Sequence, residues 1–260
     1  MNSKYKAGST FAAAVLALSA AASAHANVVT VTPGSPLWAN PPSENSNGGS
    51  STITNTMARS GNGSLEMTGD RTRMFGLGNP YSAASNLGLL DQLSRLTFDW
   101  ALSNAGTAYS PDYTPALRVT VFDHGVRSEL IWEGAYNGTY GNTALDTWYS
   151  SGVNDLFYRN VAGQGVTLNS GSQVNMSLAG WEASNYYSND AYISGFSVGV
   201  GSGASPAYLA FADNVTIGLN GVSTTYNFET ANVPEPGSIA LLGLGLLGAA
   251  AARRKQRNKQ

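Results

Sequence analysis

A hydrophobic period of two constrains this chain more than any other feature. Leu96, Phe98, Trp100 and Leu102 alternate with Arg95, Thr97, Asp99 and Ala101. Leu117, Val119 and Val121 alternate with Arg118 and Thr120, and Val174, Met176 and Leu178 with Asn175 and Ser177. Successive side chains of an extended chain point to opposite faces, so each run reads as a strand with one buried and one open face. Shorter runs at 28–32, 64–68, 129–133, 196–200, 211–217 and 225–229 read the same way. No amphipathic helix of comparable length competes, and about nine or ten strands result.

The connections agree. Asn62-Gly63, His124-Gly125, Asn137-Gly138, Asn169-Ser170-Gly171 and Asn220-Gly221 are turn formers because Gly and Asn tolerate positive φ. Strands with one apolar face each, joined by such turns, predict an all-β, two-sheet antiparallel sandwich; a closed barrel is the rival topology. Cysteine is absent, so the fold rests on its hydrophobic core without disulfides or thiolate zinc sites.

Both ends depart from this pattern. At the start, Lys4 and Lys6 precede an apolar stretch at 10–22, and Ala24-His25-Ala26 supplies a small-x-small signal-peptidase site at Ala24 and Ala26. This predicts a signal peptide over 1–26 and a mature chain beginning at Asn27. At the end, Val233-Pro234-Glu235-Pro236 is followed by an uninterrupted apolar run at 238–252 and then by Arg253, Arg254, Lys255, Arg257 and Lys259. Prolines that break structure, a short apolar helix and a cationic end spell stop, insert and hold. A span of that length falls short of the roughly 20 residues that cross a bilayer, so it reads as a marginal, transient inner-membrane anchor. The chain thus divides into a signal peptide (1–26), a β-sandwich domain (27–230) and a sorting tail (231–260) with a transmembrane helix at 238–252.

That tripartite tail resembles the PEP-CTERM sorting signal of exported bacterial proteins, carried by Val233, Pro234, Glu235, Pro236, Arg253 and Arg254. The resemblance covers only the end of the chain. It implies an exosortase as partner, cleavage near the Pro-Glu-Pro element, and delivery to the cell surface or extracellular matrix of a Gram-negative bacterium. Within the body, residues 60–67, Ser-Gly-Asn-Gly-Ser-Leu-Glu-Met, resemble the early strand of carbohydrate-binding-like jelly rolls. Residues 212–217, Ala-Asp-Asn-Val-Thr-Ile, resemble their closing strand. The resemblance sharpens the expected sandwich to a jelly roll.

Charge narrows the partners. All four lysines, Lys4, Lys6, Lys255 and Lys259, lie in the two ends, while the body keeps seven arginines and all but one of the chain's sixteen carboxylates. An acidic, lysine-free body argues against nucleic acid, anionic lipid and polyanions in general as partners.

Catalytic constellations are sparse. The body's single histidine, His124, sits in the His124-Gly125 turn, and no Gly-x-Ser-x-Gly elbow occurs. Glu129 and Glu133 lie at i and i+4, about 13 Å apart at a strand's rise, beyond the carboxylate separation of a glycosidase. They read as a solvated face. The expectation is therefore a protein that is not an enzyme and needs no cofactor. Asp213 stands out because alternation groups it with Phe211, Val215 and Ile217, where a carboxylate needs a partner. Backbone or hydroxyl donors at a bulge would serve; the sharper alternative is a structural calcium ion completed by Glu44 or Asp70.

Aromatic and amide-rich loops carry the functional expectation. Tyr109, Tyr113, Tyr136, Tyr140, Trp148, Trp181, Tyr186 and Tyr187 are interleaved with Asn, Ser, Asp and Gly, a composition that stacks on sugar rings and bonds their hydroxyls. The sequence thus points to an exported, non-enzymatic surface or matrix protein that contacts extracellular polysaccharide. The alternatives are a purely structural or adhesive surface protein, with these rings packed inside, and a divergent polysaccharide-acting enzyme.

Overall fold

A computed structural model describes residues 27–104, 113–137, 143–201, 203–204 and 207–231. The expected signal peptide, the Pro-Glu-Pro element and the apolar run at 238–252 lie outside them. Among the described residues no helix is long and apolar enough to cross a membrane.

Eleven strands of five residues or more build the fold: β1 Asn27–Val31, β2 Ser50–Thr54, β3 Ser64–Thr68, β4 Thr72–Gly78, β5 Leu93–Leu102, β6 Ala116–Asp123, β7 Val126–Trp132, β8 Phe157–Val161, β9 Tyr192–Val200, β10 Leu209–Leu219 and β11 Val222–Phe228. Helices are brief, with α1 at Gly134–Asn137 and α2 at Leu178–Glu182. One sheet is organised about β10, with β5 along one edge and β3 and β11 sharing the other; β2 and β1 extend it. The second sheet runs β8, β7, β6, β9, β4. Together they form the expected all-β sandwich. One pairing departs from the antiparallel expectation, since β1 runs parallel to β11.

The alternating residues meet where the sheets face one another. Phe98 on β5 packs edge-on to Trp132 on β7 at 5.1 Å between centroids, and Trp100 lies 6.0 Å from the same indole. Leu65, Met67, Leu117, Val119, Leu130, Phe196 and Val198 fill the space around them, all fully buried. Removing that apolar area from water, at about 25 cal/mol per Å², is what holds a cysteine-free sandwich closed.

Two of the expected turns set register directly. His124 (φ 49°) and Gly125 (φ 79°) join β6 to β7, and Asn220 (φ 54°) and Gly221 (φ 75°) join β10 to β11. Each is a two-residue hairpin with both central residues left-handed, a twist that matches the strands.

The third alternating run forms a strand over two residues only. Only Asn175–Met176 pairs, and Leu178 begins α2, whose N-cap is Ser177, with its hydroxyl accepting from the Gly180 amide. A serine with a buried Leu and Trp behind it favoured the capped turn over continued extension.

Asp213 also departs from its expected face. The β10 to β5 register slips between Asp213 and Thr216, with Asn214 at φ 49°. This bulge reverses the phase of β10: Ala212 and Val215 both face the core, whereas Asp213 pairs with Asp99 on the outer side. Residues 59–63 bury it there. Ser60, Asn214 and Phe228 donate backbone amides to its carboxylate at 3.2, 2.7 and 2.9 Å. Gly61 (φ 89°) lets the same loop touch Glu229, because a Cβ there would overlap that carboxylate.

Candidate functional site

The outer face of the second sheet is charged, yet much of it is buried. Residues directly opposite in paired strands share a face, so Arg118 on β6 aligns with Ile131 on β7 and Ser197 on β9. Ile131 lies midway between Glu129 and Glu133, which places Arg118 between the two carboxylates. Glu129 is in turn opposite Asn160 on β8, and Tyr158 is opposite Ile131. From the other side Arg73 enters on β4, opposite Gly199.

These side chains line two adjoining recesses of about 210 and 280 Å³ that share Arg71, Arg73, Glu129 and Asn160. Tyr81 and Arg127 are among the other residues of the first; Tyr113, Arg118, Glu133, Tyr158 and Gly201 are among those of the second. They form one groove. Four of the body's seven arginines line it.

Its wall is tied together around Glu129. Arg73 Nη1 donates to Glu129 Oε1 at 2.9 Å and Arg127 Nη1 to the same oxygen at 3.3 Å. Burial opposes ionisation of Glu129, but the guanidiniums of Arg73, Arg118 and Arg127 overcome it and hold the carboxyl below its usual range. Burial wins at Glu133, whose carboxyl is pushed up although Arg118 and the Tyr158 hydroxyl, 3.0 Å away, favour its charged form. Glu44 closes the far end, accepting from the Tyr81 hydroxyl at 2.9 Å and Arg71 Nη2 at 3.3 Å. The Arg127 guanidinium lies over the Tyr81 ring at 4.6 Å.

Residues 232–255 match the PEP-CTERM protein-sorting motif. The match indicates an exosortase-sorted, exported surface protein, processed by exosortase during membrane-associated sorting. It covers the tail and leaves the β body to be read from its own residues. No curated protein matches the chain.

The candidate glycan contacts scatter. Tyr113 lies in the groove. Trp148 is half-buried elsewhere, with Arg59 over its ring at 5.9 Å. Two assignments are corrected by burial. Trp181 is wholly enclosed and its indole N–H donates to the Phe157 carbonyl at 2.8 Å, while Tyr187 is 8% exposed and bonds Ser128 through its hydroxyl. Neither offers a face to a sugar. Tyr186 is half-buried against Trp181 at 5.5 Å. Tyr109 and Tyr140, and the side chain of Tyr136, lie outside the described residues.

Glu129 and Glu133 are corrected as well. They are 8% and 6% exposed, part of the groove floor and no solvated face. Arg71, Arg73 and Arg127 share their period-two placement opposite the apolar face, a pattern that by itself reads as solvent-facing. His124 stands where the turn reading put it, 75% exposed and 2.8 Å from Asp123.

Asp213 has the backbone donors its position required, on both carboxylate oxygens. Glu44 and Asp70 are engaged elsewhere, Glu44 in the groove and Asp70 with Asn47 and the Gly203 amide. Among the described residues no group of three or more His, Asp or Glu side chains converges as a metal site does.

Proposed function

We propose that this exosortase-sorted protein is a non-enzymatic component of the cell surface or extracellular matrix whose jelly-roll-like body binds a glycan in the groove between Tyr81 and Gly201. The observation that carries the reading is the company the charged groups keep. Tyr81, Tyr113 and Tyr158 stand among Arg71, Arg73, Asn160 and Glu133, so ring surface and hydrogen-bonding groups line one groove of two adjoining recesses. Sorting to the surface puts such a recess among extracellular polysaccharides. Signal-peptidase cleavage after Ala26 and transient anchoring by 238–252 complete the proposed route.

The engagement of the carboxylates supports a role in binding. Glu129 lies on β7, whose pairing with β6 shows no bulge, and Glu133 directly follows its last residue, so their backbones are spaced by about 13 Å at a strand's rise. Glu129 is fixed as an anion by three arginines, and Glu133 is held by Tyr158. Calcium has no part in the proposed activity.

A structural or adhesive role is the second reading, favoured by the burial of Trp181 and Tyr187 in the core. Affinity separates the two. Full-length protein in detergent, passed over immobilised extracellular polysaccharide of the producing cells, is retained if the groove binds glycan. Flow-through equal to that of a Gly201→Leu variant would favour the structural reading.

A further inference from the structure

Arg118 is the anomaly of the groove. Its side chain is 4% exposed, yet a guanidinium carries five N–H donors and this one makes a single hydrogen bond, from Nη1 to the Ala116 carbonyl at 3.4 Å. Its Nε is buried without a hydrogen-bond partner, 4.0 Å from Glu129 Oε2. The nearest carboxylates are otherwise engaged, Glu129 by Arg73 and Arg127 and Glu133 by Tyr158. A buried cation left this short of acceptors is costly unless something else supplies them.

What could supply them must come from the groove. A Cβ built on Gly201 would lie 3.9 Å from Glu133 Oε1 and 4.0 Å from Arg118 Nη2, so the glycine keeps open the space directly in front of the guanidinium. Arg71 lines both recesses, and its side chain is 43% exposed. A fork of donors at the floor and, at the rim, a half-exposed guanidinium bonded to Glu44 through Nη2 alone match a planar carboxylate.

We infer that the groove recognises an acidic glycan, seating a sugar-borne carboxylate on Arg118 and Arg71 beside the rings of Tyr113 and Tyr158. The inference rests on the glycan reading and narrows it. It also revises the expectation drawn from composition: the body is acidic in sum, but four of its arginines converge here. Glu129 and Glu133 stand among the arginines that line the groove, which suits isolated carboxylates along a sugar chain and disfavours the continuous phosphates of nucleic acid.

The test uses the full-length chain in detergent and a panel of acidic oligosaccharides, uronate-containing and pyruvylated, each paired with its carboxyl-reduced or depyruvylated counterpart. Calorimetry should show at least one acidic member binding tenfold or more tighter than its neutral partner, with affinity falling as salt rises. Arg71→Gln should lower that preference several-fold. Gly201→Leu should abolish binding while thermal unfolding stays unchanged, and Arg118→Lys should weaken it because the fork is lost though the charge remains. Should Arg118→Lys fail to fold, the first two variants decide. Equal affinity for acidic and neutral partners overturns this inference and leaves glycan binding standing. Binding of neither overturns both. Equal or tighter binding of a single-stranded DNA probe, or a Gly201→Leu variant with undiminished affinity, also overturns the inference.

Discussion

The backbone amide of Phe228 donates to Asp213 Oδ1 at 2.9 Å, fastening the last strand to a carboxyl buried beneath residues 59–63. Burial pushes the pKa of Asp213 up to about 7, although the amides of Phe228, Asn214 and Ser60 all pull it down. The neighbouring charge of Glu229 adds to the rise. A group that ionises less readily when folded makes the native state hold more protons than the unfolded chain. Its contribution to stability is therefore greatest below the unfolded value near 4, declines as pH rises, and levels off above about 7.

Asp213→Asn removes that titration. Urea unfolding of wild type and variant between pH 4 and pH 8 should give a stability difference that shifts in the variant's favour with rising pH, by at most about 4 kcal/mol. Glu182, also raised to about 7 by burial and by Asp91, titrates in both proteins and cancels from the comparison. Parallel pH profiles would contradict the assignment.

Glu129 has the opposite sign. Arg73, Arg118 and Arg127 outweigh its burial and depress its pKa, so it stabilises the fold above the ordinary glutamate range, and that contribution is lost as pH falls through its lowered folded value. Glu129→Gln leaves Arg73 and Arg118 buried without their shared anion and should cost about 3–5 kcal/mol. Denaturant melts at pH 7 check this; a loss below about 1 kcal/mol would place the ion pairs among weak surface contacts.

Much of the body was legible because its constraint is local. Alternation located β3 at its observed bounds and β5, β6, β9, β10 and β11 within a few residues, since one buried face writes its period into the sequence. Strand β4, Thr-Arg-Met-Phe-Gly-Leu-Gly, escaped because both faces are partly covered and two glycines interrupt it. The groove escaped for a related reason. Arginines and glutamates opposite an apolar face ordinarily mean solvent, and nothing in β6 or β7 alone reveals that Tyr81, Glu44 and the neighbouring strands cover that face. Asp213 was identified as needing partners, but its face was misassigned because a bulge at Asn214 breaks the alternation used to infer it.

The sorting motif makes its own prediction. Replacing Pro234, Glu235 and Pro236 with alanine should leave the protein in the inner-membrane fraction at its precursor size, with the surface fraction depleted several-fold. Immunoblots of fractionated cells read this directly, and unaltered surface delivery would show that export does not depend on the Pro-Glu-Pro element.

Where the glycan sits is the central question, and hydrogen-exchange footprinting of the full-length protein with and without the producing cells' polysaccharide answers it. The groove reading predicts protection concentrated in peptides spanning 71–73, 127–133 and 158–160, absent from the Gly201→Leu variant. Protection confined to other surfaces, such as that around Trp148 and Arg59, would contradict it.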